Sequence, residues 1–86
     1  MKDAVEGTLR YVKRKMKYGI ECDGELVGVI RSGIMPMEVF TEGMWLPCAI
    51  DKNIIGKWYI VGAPYYGDLN GIKVRISSVF LDKIKH

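Results

Sequence analysis

The stretch Tyr18-Gly19-Ile20-Glu21-Cys22-Asp23-Gly24-Glu25-Leu26-Val27-Gly28-Val29-Ile30 decides the fold class. Asp23-Gly24 separates two strand-like runs, and this dipeptide accepts the positive φ angles that tight hairpin turns demand. The stretch therefore reads as a β-hairpin. Toward the C-terminus, Arg31-Ser32-Gly33 breaks the pattern, Pro36 blocks ladder pairing at its own position, and Met37-Glu38-Val39-Phe40 resumes as a short strand. Thr41-Glu42-Gly43 turns the chain again. Trp45-Leu46-Pro47-Cys48-Ala49-Ile50 reads as a strand whose Pro47 implies an edge or a bulge, followed by a turn at Asp51-Lys52-Asn53 that Gly56 ends. Lys57-Trp58-Tyr59-Ile60-Val61 has the highest β-propensity, and its near-continuous apolar character predicts a central strand covered on both faces. Ile72-Lys73-Val74-Arg75-Ile76 alternates, sending Ile72, Val74 and Ile76 inward and Lys73 and Arg75 to water.

The two ends read less simply. Val5, Leu9, Val12 and Met16 recur at helical spacing behind an Asp3/Glu6 capping box, which favours a helix over residues 3–16. Against it, Gly7 lies inside that span, and Lys13-Arg14-Lys15 could be the tip of a hairpin joining Thr8-Leu9-Arg10-Tyr11-Val12 to the strand at Tyr18. The two readings are nearly even. From Ser77 onward the chain is expected to form a short C-terminal helix, capped by Ser77 or Ser78, with Phe80, Leu81 and Ile84 on one side. The fold class is thus mainly β: a small bent sheet of five or six strands, or an SH3-like barrel, with a short C-terminal helix. Closure would cover the apolar face that a flat sheet leaves open, and Trp45 and Trp58 are the expected core.

Composition sets the scale. Eighty-six residues, 49% apolar and 27% charged, make a single domain over residues 1–86, burying roughly 64% of its unfolded surface. No run approaches the ~18 apolar residues of a membrane span, and Lys2-Asp3 opens no signal peptide. A cytoplasmic protein without membrane contact is expected. The net charge of +3 is unevenly spread: through Tyr18 there are six Lys or Arg against two acids, whereas the remainder carries seven against eight. Such a cluster raises the field toward an anionic partner, although basic turns are commonly just solvated. Cys22 and Cys48 form no paired motif and His86 is terminal, so no metal site is expected, and both cysteines read as free thiols, with an oxidised pair as the alternative if their strands are adjacent.

Motif order then suggests a family. Gly7-Thr8-Leu9-Arg10-Tyr11, Lys17-Tyr18-Gly19-Ile20, Gly33 with Glu38-Val39, Trp45-Leu46-Pro47, Trp58-Tyr59-Ile60-Val61-Gly62 and Leu69-Asn70-Gly71-Ile72-Lys73-Val74-Arg75-Ile76 follow one another. This succession over residues 7–76 resembles a family of short uncharacterised bacterial proteins, a domain of unknown function often encoded on mobile elements. The resemblance favours the hairpin reading of the N-terminus and implies no catalytic residue. The turn at Lys13-Arg14-Lys15 is more basic here than in that family.

Catalysis finds few parts. The only histidine is His86, so no Ser or Cys has a base to activate it, and nucleotide and zinc-protease motifs are absent. Asp23 with Glu25, and Glu38 with Glu42, read as solvated surface pairs. The chain is expected to be a non-enzymatic binding module without cofactor. Tyr65 and Tyr66, in the long loop after Ala63-Pro64, and Tyr59 are the candidate contact aromatics. A protein partner is the favoured expectation, docked at a strand edge near Pro36 or Pro47 and at the Tyr-Tyr loop. The alternative is nucleic acid, with Arg10, Lys13, Arg14, Lys15 and Lys17 on phosphates and Tyr65 or Tyr66 stacking on a base.

Overall fold

The computed structural model describes residues 3–63 and 67–84. They form one antiparallel sheet of eight strands: β1 (Ala4–Val12), β2 (Lys17–Cys22), β3 (Glu25–Ile30), β4 (Met35–Thr41), β5 (Met44–Lys52), β6 (Trp58–Val61), β7 (Lys73–Ser77) and β8 (Leu81–Asp82). Their order is β6-β5-β4-β7-β1-β2-β3-β8. Two meanders, β1–β2–β3 and β4–β5–β6, are joined through β7.

The hairpin that decided the class is present. Asp23 and Gly24 both take positive φ, 50° and 81°, and Glu42 and Gly43 repeat the geometry between β4 and β5 at 52° and 77°. The N-terminus is strand and turn, not helix: Thr8–Val12 pair with Lys17–Glu21 around a 3-10 turn at Lys13–Lys15. β1 also serves a second neighbour, because Ala4–Thr8 pair with β7. One strand shared between two partners over successive halves forces the sheet to coil. Gly7 makes the crossing possible, since a Cβ there would strike the Glu21 carbonyl oxygen and lie 2.8 Å from Ile20 Cγ2.

The sheet is strongly bent. β6 and β2 stand five places apart in the strand order, which in a flat sheet means about 24 Å at ordinary strand spacing. Yet the rings of Trp58 and Tyr18 lie with centroids 6.0 Å apart. Both meanders fold over one core of Leu9, Tyr18, Ile20, Ile30, Met37, Val39, Ile50, Trp58, Ile60, Leu69, Val74 and Ile76. The bend supplies the cover expected of a barrel without closing one: the edges β6 and β8 do not pair with each other.

Several expectations are corrected. There are eight strands rather than five or six, and no α-helix among the described residues. In place of the C-terminal helix, Ser77 caps a single 3-10 turn over Ser78–Phe80, and Leu81–Asp82 then pair with Val29–Ile30. That return is locked by Arg31, whose backbone N–H donates to the Phe80 carbonyl and whose Nε donates to Asp82. Pairing with β3 thus takes the residues a helix would have used. The run at Trp58–Val61 is an edge strand, not a central one: Trp58 and Ile60 point inward, whereas Val61 is half exposed. Strand β5 continues through Lys52, past the turn expected at Asp51. Trp45 is not core. It lies on the outer face opposite Phe40, ring centroids 5.1 Å apart, with the Arg75 guanidinium 4.3 Å above it. Pro36 and Pro47 lie on inner strands of the order, Pro36 opposite Ala49 and Pro47 opposite Glu38, and Pro36 lies outside the segment Glu38–Val39 that β7 covers. Pro47 does lie outside the segment Ala49–Lys52 that β6 covers, where a missing N–H costs no ladder bond.

Candidate binding cleft

One end of the bent sheet is built from aromatic residues. The last inward-facing pair of the β1–β2 hairpin is Tyr11 opposite Tyr18, whose rings meet edge to face at 5.1 Å and 70°. Tyr18 in turn meets Trp58 edge to face at 84°. Contacts of this kind stabilise by about 0.5–1.5 kcal/mol each beyond burial. The Tyr18 hydroxyl also accepts the Leu69 backbone N–H at 3.1 Å, which ties the loop before β7 to the hairpin. Asn70 Oδ1 accepts the Tyr11 N–H at 2.6 Å, and Asp68 Oδ1 accepts from Asn70 in turn.

The β5–β6 loop supplies the facing wall. Asn53 shapes it: its side-chain oxygen accepts the N–H groups of Ile55 and Lys57, and its backbone N–H donates to Lys57 O. Holding both ends of a tight loop with one Asn pushes its tip outward, leaving Ile54 fully exposed and Ile55 at 73%.

Between these walls lies a cleft of about 720 Å³, within the usual range for a ligand site. Tyr11, Tyr18, Trp58 and Tyr59 form its apolar lining, with Lys57, Asp68 and Asn70 among its polar groups. The Tyr59 hydroxyl donates to Asp51 at 3.1 Å, and this bond, with partial burial, holds the phenol above its ordinary value. Lys52 Nζ stands 5.5 Å from the Trp58 ring centroid. Trp58 itself is 9% exposed, and its Nε1 is the buried side-chain polar atom that finds no partner among the described residues. An unpaired buried donor costs about 1–3 kcal/mol.

The chain belongs to the DUF5348 family, described as a domain of unknown function. The match covers residues 7–76, so it includes β1 from Gly7 onward, every wall of the cleft, and β7 as far as Ile76. No curated protein and no solved structure matches the chain. Several of the matched residues meet at the cleft: Tyr11 near the end of β1, Tyr18 on the core face of β2, and Trp58 and Tyr59 at the start of β6.

The expected site residues divide sharply. Tyr59 lines the cleft. Lys13, Arg14 and Lys15 form the exposed turn directly beyond the Tyr11–Tyr18 pair, with half-buried Lys17 following. None of these four takes part in an ion pair among the described residues. Arg10 is separate: it points along the outer face and pairs with Glu21 at 2.6 Å. Tyr65 and Tyr66 lie outside the described residues, between Ala63 and the cleft residue Gly67. Sequence reading missed Tyr11, Tyr18, Asn53 and Asn70 as cleft residues. The symmetric placing of Tyr11 and Tyr18 about the basic turn was the available signal.

The outer face carries a second aromatic group. Lys73 Nζ lies 4.9 Å from the Phe40 ring and Arg75 covers Trp45. Arg75 Nε donates to Glu38 at 2.7 Å, a bond that holds the Glu38 carboxyl below its ordinary value. Glu38 is thus half buried in an ion pair rather than free surface. Cys22 and Cys48 are free thiols. Burial raises both thiols, Cys48 to about 11, and nearby acids add to the effect. Among the described residues no helix is long and apolar enough to cross a membrane.

Proposed function

We propose that this protein is a small non-catalytic binding module of the cytoplasm that docks a segment of a partner protein at the aromatic cleft. The observation that carries the reading is the position of that cleft. It lies beside the unpaired edge of β6 and beneath a loop tip presenting Ile54 and Ile55 to solvent. Adjacent apolar side chains held outward by a rigid loop are expensive to leave in water and are the usual mark of a contact surface. A non-catalytic role is supported by the acids at the cleft: Asp51 and Asp68 are engaged by Tyr59 and Asn70 respectively. The mobile-element setting implied by the motif resemblance is part of this proposal.

The test is capture from host lysate by the wild-type protein and by Ile54→Asp/Ile55→Asp, which changes only exposed positions. The wild type retains a partner and the variant loses it. Equal retention by both refutes docking at this end.

A second reading, nucleic acid, is favoured by one observation: the unpaired cations of the Lys13–Lys15 turn adjoin Tyr11 and Tyr18, and Lys57 lines the cleft itself. Four phosphate contacts would give single-strand affinity a slope near −3 against log salt, at about −0.7 per contact. Absence of binding to short DNA and RNA at low salt removes this reading.

A further inference from the structure

We infer that the segment docked at the cleft is acidic, with a short apolar core laid over the aromatic floor and carboxylates reaching the cations at both ends of that floor. The inference rests on the protein-binding reading above and names the class of partner segment. The floor is a row of three rings, Tyr11, Tyr18 and Trp58, with successive centroids 5.1 and 6.0 Å apart. An extended chain crosses such a row in about three residues. Tyr18 and Trp58 are only 5% and 9% exposed, so they offer a small apolar surface rather than the open ring faces on which bases stack. The aliphatic tip of Ile54 and Ile55 above them likewise suits apolar side chains.

Cations stand at each end of the row. Lys13, Arg14 and Lys15 form the exposed turn one residue pair beyond Tyr11 and Tyr18, and none of the three has an ion-pair partner among the described residues. At the other end, exposed Lys57 lines the cleft, and the Nζ of exposed Lys52 lies 5.5 Å from the Trp58 ring centroid. The nearby carboxylates are engaged by neutral donors. Asp51 accepts the Tyr59 hydroxyl and the Lys52 backbone N–H, and Asp68 accepts both the backbone and the side-chain N–H groups of Asn70. Neither acid pairs with a cation among the described residues. Carboxylates on either side of an apolar core complement this field. A second copy of the chain would bring only the same cations to the same place.

The experiment uses the full chain and fluorescein-labelled probes read by anisotropy. The probes are a Val-Leu-Val core flanked on each side by two glutamates, the same core flanked by lysines, a glutamate-flanked Gly-Ser-Gly core, and oligo-dT. Expected is saturable binding of the first peptide, about tenfold tighter than the second at low salt, by a margin that shrinks as salt rises. Lys13→Glu/Lys15→Glu at one end and Lys57→Glu at the other, all exposed positions, each weaken it by about two- to tenfold, and the effects multiply when combined. Lys73→Glu, exposed on the outer face, carries the same change in net charge and leaves binding unaltered. Loss by Lys73→Glu as large as at the cleft lysines, or equal affinity for the lysine-flanked peptide, overturns the acidic class while leaving protein docking intact. Loss from one end alone overturns the two-ended arrangement. Equal affinity for the Gly-Ser-Gly core overturns the apolar core. Binding of oligo-dT without any peptide overturns the protein-binding reading itself, and absence of binding by every probe overturns the inference.

Discussion

Gly7→Ala should be among the most damaging single-methyl changes this chain can suffer, although Gly7 has no positive φ and adopts ordinary strand backbone. The added Cβ would run into the Glu21 carbonyl oxygen while lying 2.8 Å from Ile20 Cγ2 and 2.9 Å from Cys22 Sγ. Two of those neighbours are side-chain atoms free to rotate away, but the carbonyl is backbone in a strand paired on both sides. β1 and β2 must therefore separate by several tenths of an ångström at the point where β1 passes from β2 to β7. Overpacking of this kind costs about 1–3 kcal/mol. Weakening a ladder hydrogen bond and the Cys22 Sγ contact to the Glu6 carbonyl adds about 1 kcal/mol. A total of roughly 2–4 kcal/mol compares with about 4–13 kcal/mol for a domain of this length. The melting temperature should fall by roughly 10–25 °C, read by circular dichroism. Gly43→Ala is the control. Its φ is +77° and nothing lies within 4 Å of the new methyl, so left-handed strain alone costs about 1–2 kcal/mol. A Gly7→Ala protein that melts at or above Gly43→Ala would refute the close-approach argument.

Tyr18→Phe keeps the edge-to-face contacts with Tyr11 and Trp58 but strips the acceptor from the buried Leu69 N–H. Urea unfolding should show a loss of about 1–3 kcal/mol, and a change no larger than about 0.5 kcal/mol, typical of neutral surface substitutions, would show that the bond is idle. Glu38, lowered chiefly by the hydrogen bond from Arg75, binds its proton less readily folded than unfolded. The stability this supplies is complete above the ordinary value of 4.5 and is lost as pH falls through the lower folded value. Glu38→Gln should accordingly flatten the acid limb of a stability–pH curve, and an unchanged limb contradicts the pairing. Cys48, raised to about 11 mainly by burial, should alkylate at pH 8 far more slowly than free cysteine, followed site by site by mass spectrometry. A rate matching free cysteine at Cys48 would mean the thiol is not held in this burial.

The turns were legible because their chemistry is local. Asp23-Gly24 and Glu42-Gly43 need positive φ at successive residues, and the sequence offers a glycine at the second position of each. The inward alternation of Val74 and Ile76 was legible for the same reason, since a strand's two faces differ by one residue. The candidate site was harder to see. Tyr59 and the basic turn stand out in the sequence by residue type alone, but Tyr11, Tyr18 and Asn53 have no local signature of a cleft. Tyr11 and Tyr18 become part of one only through distant partners, Asn70 at 59 positions from Tyr11 and Leu69 at 51 from Tyr18, and Asn53 only through the wall it faces.

Trp45 and Trp58 show where local reading stops. Both sit in aromatic, β-prone runs, and size alone argued that a small domain would bury both. Which face of a strand looks inward is settled by pairing register and by how the sheet bends, and neither is written in a five-residue window. β4 and β5 place Trp45 outward under Arg75, while β6 turns Trp58 inward against Tyr18. The C-terminal segment failed for a related reason: Phe80 and Leu81 suit a helix face, yet the free flank of β3 offered hydrogen bonds that a two-turn helix could not match. Sequence by itself thus determined the β class, the glycine turns at Asp23-Gly24 and Glu42-Gly43, the apolar content of one small core and the surplus of charge before Tyr18, because each depends on neighbours along the chain. Strand count, openness of the sheet, the inward tryptophan and the aromatic cleft were decided only in three dimensions, where one bend brings β2 within reach of β6 and makes a site from residues that share no segment.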